Sequence, residues 1–113
     1  GQPIMVSEFG AGAVLGVEHQ GDLGPEDLEA HQYSEEWQAW FLDEHMTLFD
    51  QWGGLCGVQP WAFADFHMEW NPTTGDPHPA EYRNLKGLVT MDREPKLAYE
   101  TVSDWFGDKA LGD

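Results

Sequence analysis

Apolar residues first gather in Pro3-Ile4-Met5-Val6-Ser7-Glu8-Phe9-Gly10, a run too short for a helix and closed by glycine, which predicts a buried parallel strand over residues 3–10. Its carboxyl end carries a lone carboxylate, Glu8. A Gly-rich, acidic stretch from Gly10 to Tyr33 follows and reads as a loop on the same side as that carboxylate. Ser34 then offers an N-cap, Glu35 and Glu36 suit the positive end of a helix dipole, and Trp37, Trp40, Phe41, Leu48 and Trp52 recur at helical spacing. This predicts an amphipathic helix over 34–52 whose stripe Trp37, Trp40 and Trp52 packs against the sheet. Gly53-Gly54 ends it, and the apolar run Leu55 to Phe63 predicts a second strand, with Pro60 near its end. Polar residues rich in Pro, Gly and Asp fill Asn71 to Arg83. Pro95 suits a first helical position, Ala98, Val102, Trp105 and Phe106 share a face, and Gly107 is a stop, so the last helix is expected over 95–106.

The order strand, helix, strand, helix defines an α/β chain with parallel strands and right-handed crossovers. Two such units are a portion of a sheet, since a closed barrel needs eight strands. The chain also opens Gly1-Gln2-Pro3 without an initiator Met and reads as a piece of something larger. Its strand edges would then be covered by the remainder of a barrel or by self-association. In barrel enzymes the strand carboxyl ends face the substrate, so Glu8 occupies the place where a carboxylate does chemistry.

Twenty-one acidic against five basic residues leave a net charge of -16, which repels nucleic-acid phosphates and anionic membranes and excludes both as partners. Six Trp, three Tyr and six Phe nevertheless give the chain a core to bury, unlike an acidic tail. No apolar run approaches the roughly 18 residues of a membrane span. One cysteine, Cys56, makes no internal disulfide, is expected to pack as a small buried group, and favours a cytoplasmic setting. His19, His31, His45, His67 and His78 share no ligand spacing, so no metal is expected, and the lack of a Gly-rich phosphate loop gives no reason for a cofactor.

Four blocks in order bring a resemblance: Ile4-Met5-Val6-Ser7-Glu8-Phe9-Gly10, Tyr33-Ser34-Glu35-Glu36, Trp61-Ala62-Phe63-Ala64-Asp65-Phe66, and Asn84-Leu85-Lys86-Gly87-Leu88-Val89-Thr90-Met91-Asp92-Arg93-Glu94-Pro95-Lys96. From Pro3 to Phe106 the chain resembles the end of glycoside hydrolase family 2 barrels, most of all the β-glucuronidases. The resemblance implies the seventh and eighth strand–helix units of a (β/α)8 TIM barrel, occupying residues 1–113 as its C-terminal part. It implies that Glu8 is the catalytic nucleophile, that Trp61 lines the sugar site, and that Asn84 and Lys86 recognise the carboxylate of a uronic acid. Ala62 departs from the Asn common between Trp and Phe in the family, and the loop from His67 to Arg83, with Pro72, Pro77 and Pro79, is longer than usual.

A retaining glycosidase needs two carboxyl groups about 5 to 5.5 Å apart, one to attack the anomeric carbon and one to protonate the leaving group. The resemblance implies that the second follows an Asn-Glu pair, and these residues hold no Asn-Glu dipeptide, so the chain alone is expected to be inactive. Glu69 lies past the second strand, and Asp65 is expected to anchor the loop there by hydrogen bonds. A sugar carboxylate held away from water needs a charge-assisted partner and amide donors, which Lys86 and Asn84 provide. The expected substrate is a β-D-glucuronide. A β-galactosidase or β-mannosidase relative and a noncatalytic carbohydrate-binding remnant are the alternatives.

Overall fold

The first apolar run forms β1 (Ile4–Phe9), and in the computed structural model it pairs in parallel with β2 (Leu55–Pro60). The structure describes residues 2–18, 33–68 and 83–112. Val6 lies opposite Val58 and Phe9 opposite Pro60, with register irregularities between Ile4 and Met5 and between Val6 and Phe9. Parallel neighbours require a crossover, and α1 (Glu35–Gln51) lies within the connection between them. β2 ends at Pro60, three residues before the expected Phe63. The reason lies in where the next hydrogen bonds go: Trp61 N–H still reaches Phe9 O at 2.7 Å, but Ala62 and Phe63 turn to pair with residues 86–89. A second two-stranded sheet, β3 (Phe66–His67) antiparallel to β4 (Arg83–Asn84), adjoins this turn and was not expected.

Ser34 starts α1 as anticipated, its Oγ accepting the Trp37 N–H at 3.1 Å. The buried side of the helix, however, is Gln38, Ala39, Leu42 and Met46, and not the tryptophan stripe. Trp37 and Trp40 stack on each other with centroids 5.0 Å apart, while Leu48 and Trp52 are 61% and 55% exposed. The cause is the neighbour: the core joins Ala39, Leu42 and Met46 of α1 to Leu88 and to Ala98 and Val102 of α2 (Leu97–Gly112), with Phe9, Phe41 and Trp105 packed against it. Small residues at the contact, Ala39 and Ala98, suit close packing of the two helices, and Trp37, Trp40 and Trp52 stay outside the buried core.

α2 runs through Gly107 to Gly112 and so passes the expected stop at Phe106. An isolated glycine costs a helix about 1 kcal/mol but does not end it unless a left-handed residue is needed there, and Gly107 has helical neighbours on both sides. Cys56 is exposed, not buried, because it borders an open groove of about 350 Å³ with Phe49, Trp52 and Phe106. Among the described residues no helix is long and apolar enough to cross a membrane.

Space around Gly107 is open, with no other group within 4 Å of where the methyl carbon of an alanine would sit. Gly107→Ala should therefore stabilise the chain by about 0.4–1 kcal/mol, by restricting the unfolded ensemble without strain. A urea midpoint that stays level or falls would show that the helix does not run through this position.

Candidate active site at the carboxyl ends of the strands

Glu8 is the penultimate residue of β1, and its side chain is exposed at the carboxyl end of the strand. The ends of β1 and β2 meet main chain to main chain. Gly10 lies so near the Trp61 carbonyl that a Cβ there would overlap its oxygen, and Trp61 N–H donates to Phe9 O. Trp61, 41% exposed, stands one residue beyond β2 with its ring edge-on to Phe66, centroids 6.0 Å apart. The Trp61–Ala62 peptide is cis.

Beside this turn runs the segment carrying Asn84 and Lys86. Ala62 N–H donates to Lys86 O, Leu88 N–H to Ala62 O and Val89 N–H to Phe63 O, all at 2.9–3.0 Å. Asp65 anchors the crossing, as its position led one to expect: its Oδ1 accepts the Gly87 N–H at 2.8 Å and the Lys96 Nζ at 2.7 Å. Lys96 also donates to Ala13 O at 2.7 Å and Leu85 O at 3.1 Å. From α1 the buried Gln38 donates through Nε2 to Ala11 O at 3.0 Å and Gly87 O at 2.9 Å, and its Oε1 has no partner among the described residues.

The loop residues after β1 are thereby tied to those after β4. Asn84 Oδ1 accepts the Lys86 N–H at 3.0 Å, which turns the amide oxygen inward on its own backbone and commits Nδ2 to donating elsewhere. Tyr33, Trp37, Met68, Arg83, Asn84 and Lys86 line a cavity of about 270 Å³ together with Gly12 and Leu85. Arg83 and Lys86 are two of only five basic residues in the chain. Concentrating them at one cavity in a molecule of charge -16 makes that cavity the natural seat for an anion. Asn84 and Lys86 are thus brought together, whereas Glu8 and Trp61, at the strand ends, do not line the cavity.

Lys96, Gln38, Arg83 and Tyr33 carry this arrangement, although the sequence assigned none of them a role. A signal existed for Lys96: a cation immediately before the first residue of a helix faces the positive end of the dipole, and tolerates that place only with another partner. Glu35 shows the favourable counterpart, its two carboxylate oxygens accepting Gly16 N–H at 2.9 Å and Leu97 N–H, the first of α2, at 2.8 Å. Among the described residues no three His, Cys, Asp or Glu side chains cluster as a metal would need. His19, His31, Glu69, Pro72, Pro77, His78 and Pro79 lie outside the described residues.

No protein-family model matches the chain. Solved structures do: the GH2 β-galacturonidase of Eisenbergiella tayi bound to galacturonate superposes with a TM-score of 0.73 at 34% identity, over 96% of this chain and 17% of that one. The chain therefore resembles a portion of glycoside hydrolase family 2 enzymes, its described residues forming a small α/β unit of two short sheets and two helices. Within that family it is β-glucuronidase-like. It is 28% identical over 108 residues to the β-glucuronidase of Paenibacillus borealis, covering 96% of this chain and 16% of the relative. It is 34% identical over 101 residues to that of Rattus norvegicus, covering 86% and 13%. The chain thus spans about a sixth or less of the length of the proteins it matches.

Gly87 is where the site tolerates least. A Cβ there would overlap the main chain of Ala64 and Asp65 and the Val89 carbonyl, so Gly87→Ala must separate the two crossing segments. Its expected cost is about 4 kcal/mol, at the top of the range for single substitutions. Urea unfolding of the pair of proteins checks this, and a loss under about 1 kcal/mol would mean that the segments are free to part.

Proposed function

We propose that this chain supplies the seventh and eighth strand–helix units of a (β/α)8 barrel in a retaining hydrolase of β-D-glucuronides. The observation that carries the proposal is the cavity lined by Arg83, Asn84 and Lys86, whose segment is hydrogen-bonded to the turn after β2 and to the loop after β1, the strand that bears Glu8. Lys86 and Arg83 offer charge and Asn84 offers amide hydrogens, the donor set that a sugar carboxylate requires when it leaves water. Trp61, partly exposed just past β2, offers a flat face for a sugar ring. The exposed Ile4 and Met5 on β1 are where further barrel strands would pack.

In this reaction the Glu8 carboxylate attacks the anomeric carbon as the bond to the aglycone oxygen breaks, and a carboxylic acid from outside this chain protonates that oxygen. A glycosyl ester on Glu8 results. Water, deprotonated by the same outside carboxylate, then attacks the anomeric carbon and releases Glu8 and the uronic acid. Lys86 and Asn84 hold the sugar carboxylate through both steps, so the anomeric carbon returns to the same place. A second reading, that the substrate is a galacturonide, draws on the likeness to the Eisenbergiella tayi enzyme bound to galacturonate. Both sugars present the same carboxylate and differ only at C4.

The test is a chimera in which this full chain replaces the matching segment of the Eisenbergiella tayi enzyme. Glu8→Gln in that protein should abolish glycosyl-enzyme formation, because an amide of the same shape has no attacking oxygen anion. Turnover of an aryl glucuronide or galacturonide within about tenfold of the parent would reject the nucleophile, since loss of a covalent catalyst costs far more. The ratio of the two substrates' kcat/KM decides between the epimers.

Lys86→Ala in the same chimera should lower kcat/KM on uronides about ten- to a hundredfold and leave aryl glucosides nearly unchanged, since hydrogen bonds to charged groups contribute about 1.5–3 kcal/mol. Equal losses on the charged and neutral sugars would make Lys86 a structural lysine. Sugar binding without turnover in the parent chimera would favour a noncatalytic binding role.

A further inference from the structure

Lys96 is 2% exposed, and no step of the reaction above uses its charge. An ammonium stays buried only where its hydrogens all find acceptors. Here three acceptors are in reach, one from each of three chain segments: Ala13 O in the loop after β1, Asp65 Oδ1 after β2, and Leu85 O after β4. Leu85 lies between Asn84 and Lys86, and the Asp65 oxygen that meets Lys96 also holds the Gly87 N–H on the far side of Lys86. Ala13 N–H closes the circuit on Leu85 O at 2.9 Å. The main chain on both flanks of Lys86 is thus fixed by one buried ion pair. The Lys86 side chain itself is exposed and takes its aim from that backbone.

We propose that Lys96, paired with Asp65, is a positioning residue that aims the Asn84-Leu85-Lys86 segment at a carboxylate and thereby sets selectivity for uronides over neutral glycosides. This rests on the uronide reading of the cavity. Charge-assisted hydrogen bonds are short and directional, and a misplacement of about 1 Å costs on the order of a hundredfold in rate, so the rigidity of the backbone beneath Lys86 becomes part of recognition.

The experiment uses the same chimera carrying Lys96→Met with Asp65→Asn. This removes both charges together, so no buried ion is left alone, and it keeps an oxygen at position 65 for the Gly87 N–H. The uronide kcat/KM should fall about ten- to a hundredfold, mainly through KM, while that of an aryl glucoside changes by less than about threefold. Amide hydrogen exchange at Ala13, Ala62 and Gly87 should quicken at least about tenfold, with Leu42 and Met46 in α1 unchanged. Equal losses on both substrates, with exchange raised throughout, would reduce Lys96 to a general structural role. Unchanged exchange at Ala13, Ala62 and Gly87 would overturn the proposal whatever the activity. A parent chimera that turns over no uronide fails the reading of the cavity instead, and the exchange measurement still decides whether Lys96 holds this segment.

Discussion

The Lys96 ammonium and the Asp65 carboxylate, 2.7 Å apart and shielded from water, form the contact on which the other loops depend. Charges taken out of water lose their hydration, and removing one member of such a pair leaves the other uncompensated, at a cost of about 3–5 kcal/mol. Several neighbouring choices follow from this contact. The Asp65 loop must approach residue 87 closely enough to accept its N–H, and only a residue without a Cβ fits between the two main chains. Gln38, on the buried side of α1, completes the clamp by binding Gly87 O and Ala11 O with one amide nitrogen. The polar groups and the apolar core therefore share a single helix face.

Electrostatics work on two scales in this molecule. At long range, a net charge of -16 repels anions, with a reach of about 8 Å at physiological salt. Within the cavity, Arg83 and Lys86 act at contact distance, and Asn84 adds donors without charge. An anionic sugar would thus meet resistance over most of the surface and attraction at the cavity, an arrangement that favours discrimination more than speed of capture. The two helices lean on electrostatics as well, since Glu35 at the start of α1 also takes the first N–H of α2.

Much of the backbone was legible because local signals decided it. Ser34 caps where a cap belongs, β1 occupies the first apolar run, and Asp65 stands where a strand turns into a loop and needs an anchor. What escaped was tertiary in origin. The side of α1 that faces inward is decided by the partner it meets, and a helix offering Ala98 and Val102 selects Ala39 and Leu42 over Trp40 and Trp52. Gly107 resembled a stop because propensity speaks for one residue at a time, whereas its backbone does not take the left-handed conformation that would end α2 there. Gln38 gave no warning, since a lone amide among tryptophans gains a purpose only when two carbonyls from distant segments arrive beside it. The pairing of β3 with β4 was equally hidden, being two residues long on each side.

At the strand ends, backbone meets backbone. Phe9 O receives Trp61 N–H, Gly10 rests against the Trp61 carbonyl, and Ala62, Phe63 and Asp65 pair with residues 86–89 through their peptide groups. Peptide groups are the same whatever side chains they carry. A site assembled in this way can keep its outline while most of its amino acids are exchanged, provided that glycine is kept where two chains touch. Such a frame helps to explain how a segment identical to this chain at about a third of its positions can still superpose on it. It also leaves the acidic exterior free to drift, so that adaptation of the surface to a new medium and preservation of the pocket need not compete for the same positions.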